Sequence, residues 1–160
     1  MPIKSPAVRA AEFRLASFLP FRLAAVTESV YRLFAANYEG SFNLTIPEIR
    51  ALSVIAEHGT LSPTAVGQYA LMDKVKVSRA TQSLVAKGLL SQRKDPNDGR
   101  SRMLRLTRKG AATHARYVPL AIRLESTLFE NLSQAEVNAL HRILTKITTR
   151  LETNGEFDRS

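Results

Sequence analysis

The chain has 160 residues, 44% of them hydrophobic, and no Cys, so it can bury one ordinary core, or one small domain plus helices that a second subunit must cover. Without Cys there is no disulfide framework, thiolate metal site or thiol redox switch, and no apolar run reaches the roughly 18 residues of a membrane span. Charge is unevenly placed: Lys74 to Lys109 holds 11 of the 23 basic residues and 2 of the 14 acidic ones, so that segment carries +9 and the remainder is neutral. One face is therefore expected to meet a polyanion rather than simply to be solvated.

In chain order, residues 1–12 read as a loose basic lead-in, and Arg9, Glu12, Arg14 and Arg22 interrupt any signal-peptide core, which sets the expectation of a cytoplasmic protein. From Phe13 to Tyr38 the apolar positions Phe18, Phe21, Ala25, Val30, Leu33 and Phe34 recur mostly at three and four. This predicts a long first helix in which Pro20 either occupies the first turn or marks a break. Thr45 and Glu48 form a capping box ahead of Ile49, Leu52, Val54 and Ile55, so a second helix runs to about Glu57 and stops near Gly59. A short third helix starts at Ser62 with Pro63 in its first helical position.

Asp73 is a good N-cap for a fourth helix from Lys74 to Lys87, with Gly88 as its stop. On a helical wheel Val77, Ala80, Thr81 and Leu84 share one side, and Val75, Ser78, Arg79 and Gln82 the other, flanked by Lys74 and Lys76. The polar face has no acidic residue after its cap, and it suits a nucleic-acid groove. Arg79 can fork to a guanine, Gln82 can bond an adenine, and Val75 can touch a thymine methyl. Leu89 to Lys94 and Arg102 to Leu106 then predict a two-stranded hairpin, turned by Asp95-Pro96-Asn97-Asp98-Gly99. Arg100, Arg102, Arg105 and Arg108 make it basic, fit for a narrow, strongly negative minor groove.

Thr107 can cap a fifth helix with Tyr117, Ala121, Leu124 and Leu128 on one stripe and Pro119 inside. Ser133 and Glu136 form a second capping box, after which Val137, Leu140, Leu144, Ile147 and Leu151 step by three and four. Such a stripe packs on the chain's own core or on a second copy, and the length of helix before and after the central segment favours the copy. No catalytic constellation or metal site is expected: His58, His114 and His141 lie on or at the ends of separate helices, and there is no phosphate-cradling glycine loop.

Asp73-Lys74-Val75-Lys76-Val77-Ser78-Arg79, Leu84, Lys87-Gly88-Leu89, Asp95-Pro96-Asn97-Asp98-Gly99-Arg100 and Leu104-Arg105-Leu106-Thr107-Arg108-Lys109-Gly110 together resemble, in order and spacing, the MarR family of bacterial transcription regulators. The resemblance covers Phe13 to Leu151 and implies a mainly α fold with a small β-hairpin wing. Its parts would be a winged helix-turn-helix domain over 41–106, dimerisation helices over 13–40 and 107–153, and a tail at 154–160. It further implies a homodimer on pseudo-palindromic double-stranded operator DNA, usually a repressor released by a small aromatic or phenolic effector, without cofactor or enzymatic activity. The alternative is an architectural DNA binder of low specificity and no effector.

Carried over, the resemblance places Lys74, Val75, Lys76, Ser78, Arg79 and Gln82 on the recognition helix, and Asp98, Arg100 and Arg102 on the wing, with Asp98 bracing Arg100. Phe18, Phe21 and Arg22 become candidates for an effector pocket, though core packing and a surface Arg account for them equally. Gly99 replaces a frequent Arg, which removes a charge from the wing tip. Leu71 stands where many members have a turn glycine, so the backbone there is expected to avoid a left-handed conformation.

Overall fold

Pro20 decides how the first helix begins. In the computed structural model, which describes residues 13–94 and 102–153, a 3-10 turn at Leu15–Ser17 precedes α1 (Leu19–Phe42), and Pro20 lies in its first turn, where its missing N–H costs no hydrogen bond. The helix starts later than the apolar spacing suggested and ends later too. Gly40 does not stop it; Asn43 does, in a left-handed conformation (φ 54°), donating its N–H to the Glu39 carbonyl at 3.0 Å. The chain forms two units, dividing after Ile46, and in the first of them α1 leaves Leu19 and Val26 68% and 62% exposed.

The second unit holds five helices and a hairpin: α2 (Ile46–His58), α3 (Pro63–Ala70), α4 (Lys74–Ala86), β1 (Leu90–Lys94), β2 (Arg102–Leu106), α5 (Arg108–Phe129) and α6 (Gln134–Thr153). Its core gathers Leu52 and Ile55 of α2, Val66 of α3, Leu84 of α4 and Leu104 of β2, all fully buried, and burying each contributes about 2 kcal/mol. α3 packs on α4 and β2, α4 on β1, and α5 on β2. The strands pair antiparallel from Leu90 opposite Leu106 to Lys94 opposite Arg102. A further rung was not legible in the sequence: Leu61 exchanges both backbone hydrogen bonds with Leu104, at 3.0 and 2.8 Å, tying the approach to α3 onto the hairpin's second edge.

Two similar turns bracket α4. At its C-terminus Gly88 takes φ 71°, the Leu89 N–H donates to the Leu84 carbonyl at 2.8 Å, and the Gly88 N–H to Val85 at 2.9 Å. Between α3 and α4 the same motif recurs: the Met72 N–H donates to Gly67 at 2.9 Å and the Leu71 N–H to Gln68 at 3.3 Å, with Leu71 at φ 51°, ψ 52°. The sequence expectation for Leu71 is thus corrected. Two closing hydrogen bonds and the burial of Met72 hold the turn left-handed, and they outweigh the 1–2 kcal/mol or so that a Cβ costs there.

The last two helices are long and almost nothing in them is buried. α5 runs unbroken through Pro119 and buries only Gly110, while α6 buries no residue. Both start as the sequence predicted. The Thr107 hydroxyl accepts from the Gly110 N–H at 3.0 Å. Ser133 and Glu136 close their box, the carboxylate accepting from the Ser133 N–H at 2.8 Å and its hydroxyl at 2.7 Å. Among the described residues no helix is long and apolar enough to cross a membrane.

Candidate nucleic-acid interface

α4 presents one face to the core and the other to solvent, split as its spacing dictates. Val77, Ala80, Thr81 and Leu84 are buried. Lys74, Val75, Lys76, Ser78, Arg79 and Gln82 are exposed, so the structure brings together the six site residues predicted on this helix. Asp73 starts it by accepting from the Lys76 N–H at 2.8 Å, and its other oxygen meets the Lys76 ammonium at 3.0 Å. These hydrogen bonds hold the Asp73 carboxyl below its ordinary pKa. The Gln82 amide donates one N–H to the Ser78 hydroxyl at 3.2 Å, and an adenine edge would draw on its carbonyl oxygen and its other N–H.

The far end of α4 is clamped by contacts that propensity alone does not announce. Glu48, read from sequence as part of a cap, is 3% exposed and takes the Lys87 ammonium at 2.7 Å. Lys109 donates to the Lys87 carbonyl at 2.8 Å, and the Thr107 hydroxyl to the Gly88 carbonyl at 2.7 Å. At Gly110 a Cβ would run into the Leu89 carbonyl, so only glycine lets α5 approach this closely. α4 is therefore anchored at its C-terminal end to both α2 and α5.

The hairpin continues the positive surface. Arg93, Lys94, Arg102, Arg105, Arg108 and Lys109 are all exposed, and among the described basic residues of the segment only Lys87 is partly buried. Lys94 stands directly opposite Arg102 in the ladder, an arrangement that repels unless an anion lies across it. Arg102 leans back instead, its guanidinium donating to the side-chain amide oxygen of Gln92 at 3.1 Å. Asp98, Gly99 and Arg100 lie outside the described residues.

The candidate effector residues sit at the start of α1. Phe18 is its N-cap and packs against Phe13 with ring centroids 5.4 Å apart, Phe21 is 43% exposed, and Arg22 is exposed. Of the histidines, His58 stacks on Tyr69 at 4.1 Å, and burial pushes the pKa of His114 down.

A buried three-helix core with an exposed recognition face and a basic hairpin at its side is a winged helix-turn-helix domain. The MarR family model matches residues 42–101, which spans that domain from the end of α1 to the hairpin turn. The chain is 27% identical over 146 residues to the transcriptional repressor IacR of Pseudomonas putida, covering 89% of this chain and 84% of IacR. It superposes on a mutant MarR from E. coli complexed with operator DNA with a TM-score of 0.74 and 25% identity, covering 81% and 92% of the two chains. It shares its fold also with BpsR of Bordetella bronchiseptica (TM-score 0.80, 24% identity, 85% and 96% covered), whose DNA binding 6-hydroxynicotinic acid regulates. Over residues 42–101 the chain thus resembles the MarR family of transcriptional regulators, and its winged helix-turn-helix fold is the one those solved structures share.

Proposed function

We propose that the protein is a homodimeric, sequence-specific DNA-binding regulator, most simply a repressor of nearby genes, released by a small aromatic or phenolic effector. The observation that carries DNA reading is the exposed face of α4, where Ser78, Arg79 and Gln82 offer hydrogen-bonding groups suited to base edges and Lys74 and Lys76 supply charge for phosphates. The wing supplies Arg102, with Asp98 and Arg100 proposed beside it, for the adjoining minor groove. Each protomer would place one such helix in successive major grooves, roughly 34 Å apart.

Dimerisation is supported by what a single chain leaves uncovered: Ile143, Leu144 and Ile147 of α6 are 54%, 42% and 40% exposed, and burial of such a stripe drives association. Phe18, Phe21 and Arg22 offer an aromatic acid apolar rings and a cation, and BpsR, of the same fold, responds to a ligand of that chemistry. An effector that prefers the non-binding arrangement by about 1.4 kcal/mol lowers DNA affinity tenfold. The test compares, at equal salt, affinity for a neighbouring-promoter inverted repeat and for scrambled duplex, with and without aromatic acids that stabilise the protein. Equal affinity for both duplexes overturns sequence specificity, and affinity unmoved by every stabilising acid overturns the effector.

A further inference from the structure

Leu71 is held in a conformation that suits glycine, yet the residue is 70% exposed, so burial of its own side chain contributes little to offset the strain. Its backbone is nonetheless well anchored. The two hydrogen bonds of the α3 end turn fix it on one side, and buried Met72 and the Asp73 cap fix it on the other. The side chain therefore projects from a rigid root rather than a floppy loop. Tyr69, 55% exposed, is already stacked on His58.

Four residues on, in the first turn of the reading helix, Val75 is 60% exposed. Its Cα lies at most about 14 Å from that of Leu71, a span of three or four base pairs. Lys74 and Lys76, which flank Val75 in sequence and follow Leu71 by three and five residues, are exposed as well, and the nearest acid in sequence, Asp73, is engaged by the Lys76 N–H and ammonium. An apolar edge framed by lysines complements a polyanion that itself carries apolar groups. In the major groove of DNA the apolar group on offer is the thymine 5-methyl.

We propose that Leu71 is a specificity-determining residue that, together with Val75, reads thymine methyls in the operator. This rests on the DNA-reading function proposed above. The test uses a duplex that the wild-type chain selects from a random library, in which each thymine is replaced singly by deoxyuridine. Wild type should lose about fourfold in affinity at the thymine under Leu71, the value of one buried methyl. Leu71→Ala should lose about as much on the thymine duplex and be indifferent to deoxyuridine at that position. Leu71→Gly should lose the same affinity while melting higher, because its turn is unstrained. If Leu71→Ala keeps the wild-type ratio of thymine to deoxyuridine affinity at every position, the proposal fails while DNA reading stands. If no duplex is enriched, DNA reading fails and the proposal with it.

Discussion

At the scale of single residues, the least expected is an acid buried beneath a basic surface. Glu48 and Lys87 meet at 2.7 Å with side-chain exposures of 4% and 32%, so breaking the pair leaves a carboxylate with little access to water. Lys87→Met should cost about 3 kcal/mol in denaturant unfolding, and adding Glu48→Gln should recover much of that loss; additive losses would show that the two groups do not act as a pair. On the outer face, Arg79→Ala should reduce discrimination between operator and scrambled DNA by about 1–3 kcal/mol. Arg102→Ala should instead weaken both duplexes alike and lower the salt slope by about one. Unchanged discrimination in the Arg79 variant would remove that side chain from base reading.

Among the elements, α4 was the most legible, because a helix with one buried face repeats its apolar residues at fixed spacing, and Asp73 and Gly88 mark its ends chemically. The hairpin strands and the helix starts at Ser62, Thr107 and Ser133 were legible for the same local reasons. What was hidden depends on partners far along the chain. Leu61 pairs with Leu104, Glu48 with Lys87, and Leu71 is turned left-handed by carbonyls of α3. Family pattern misled at Leu71, since glycine is preferred there but not required.

The caps also make the elements pH-dependent. Hydrogen bonds lower the carboxyl pKa of Asp73 at α4 and of Glu136 at α6, and burial lowers that of His114 in α5. Each group folds more readily deprotonated, so its contribution is complete above its unfolded pKa and is lost as pH falls through the folded one. For the two carboxyls the loss falls below their ordinary values of 3.8 and 4.5, and for His114 below 6.5. Melting temperature should therefore decline on the acid side. In Asp73→Asn, which caps as well but does not titrate, the decline below about pH 4 should be shallower. An acid limb identical to wild type would separate that cap from acid stability.

For the whole molecule, α4 is joined at its C-terminal end to α5 through Thr107, Lys109 and Gly110, so a shift of α5 in an assembly would carry α4 with it. In a dimer closed by the terminal helices, the same seam that holds two copies together would set the separation of their reading helices. Leu140 and Leu144 lie one turn apart on α6, the second of them 42% exposed in the single chain. Replacing both with Asp should place two charges in a seam that must otherwise be dry, and each charge opposes association more than the lost leucine surface does. Light scattering should then report monomers where wild type is dimeric at micromolar concentration. The circular dichroism of the helices should change little, because neither residue belongs to the buried core. Affinity for an inverted repeat should fall towards that for an isolated half-site, since two linked reading heads bind far more tightly than one. A double variant that remains dimeric, or a wild type that is monomeric, would place the contact elsewhere and leave the α6 stripe without that role.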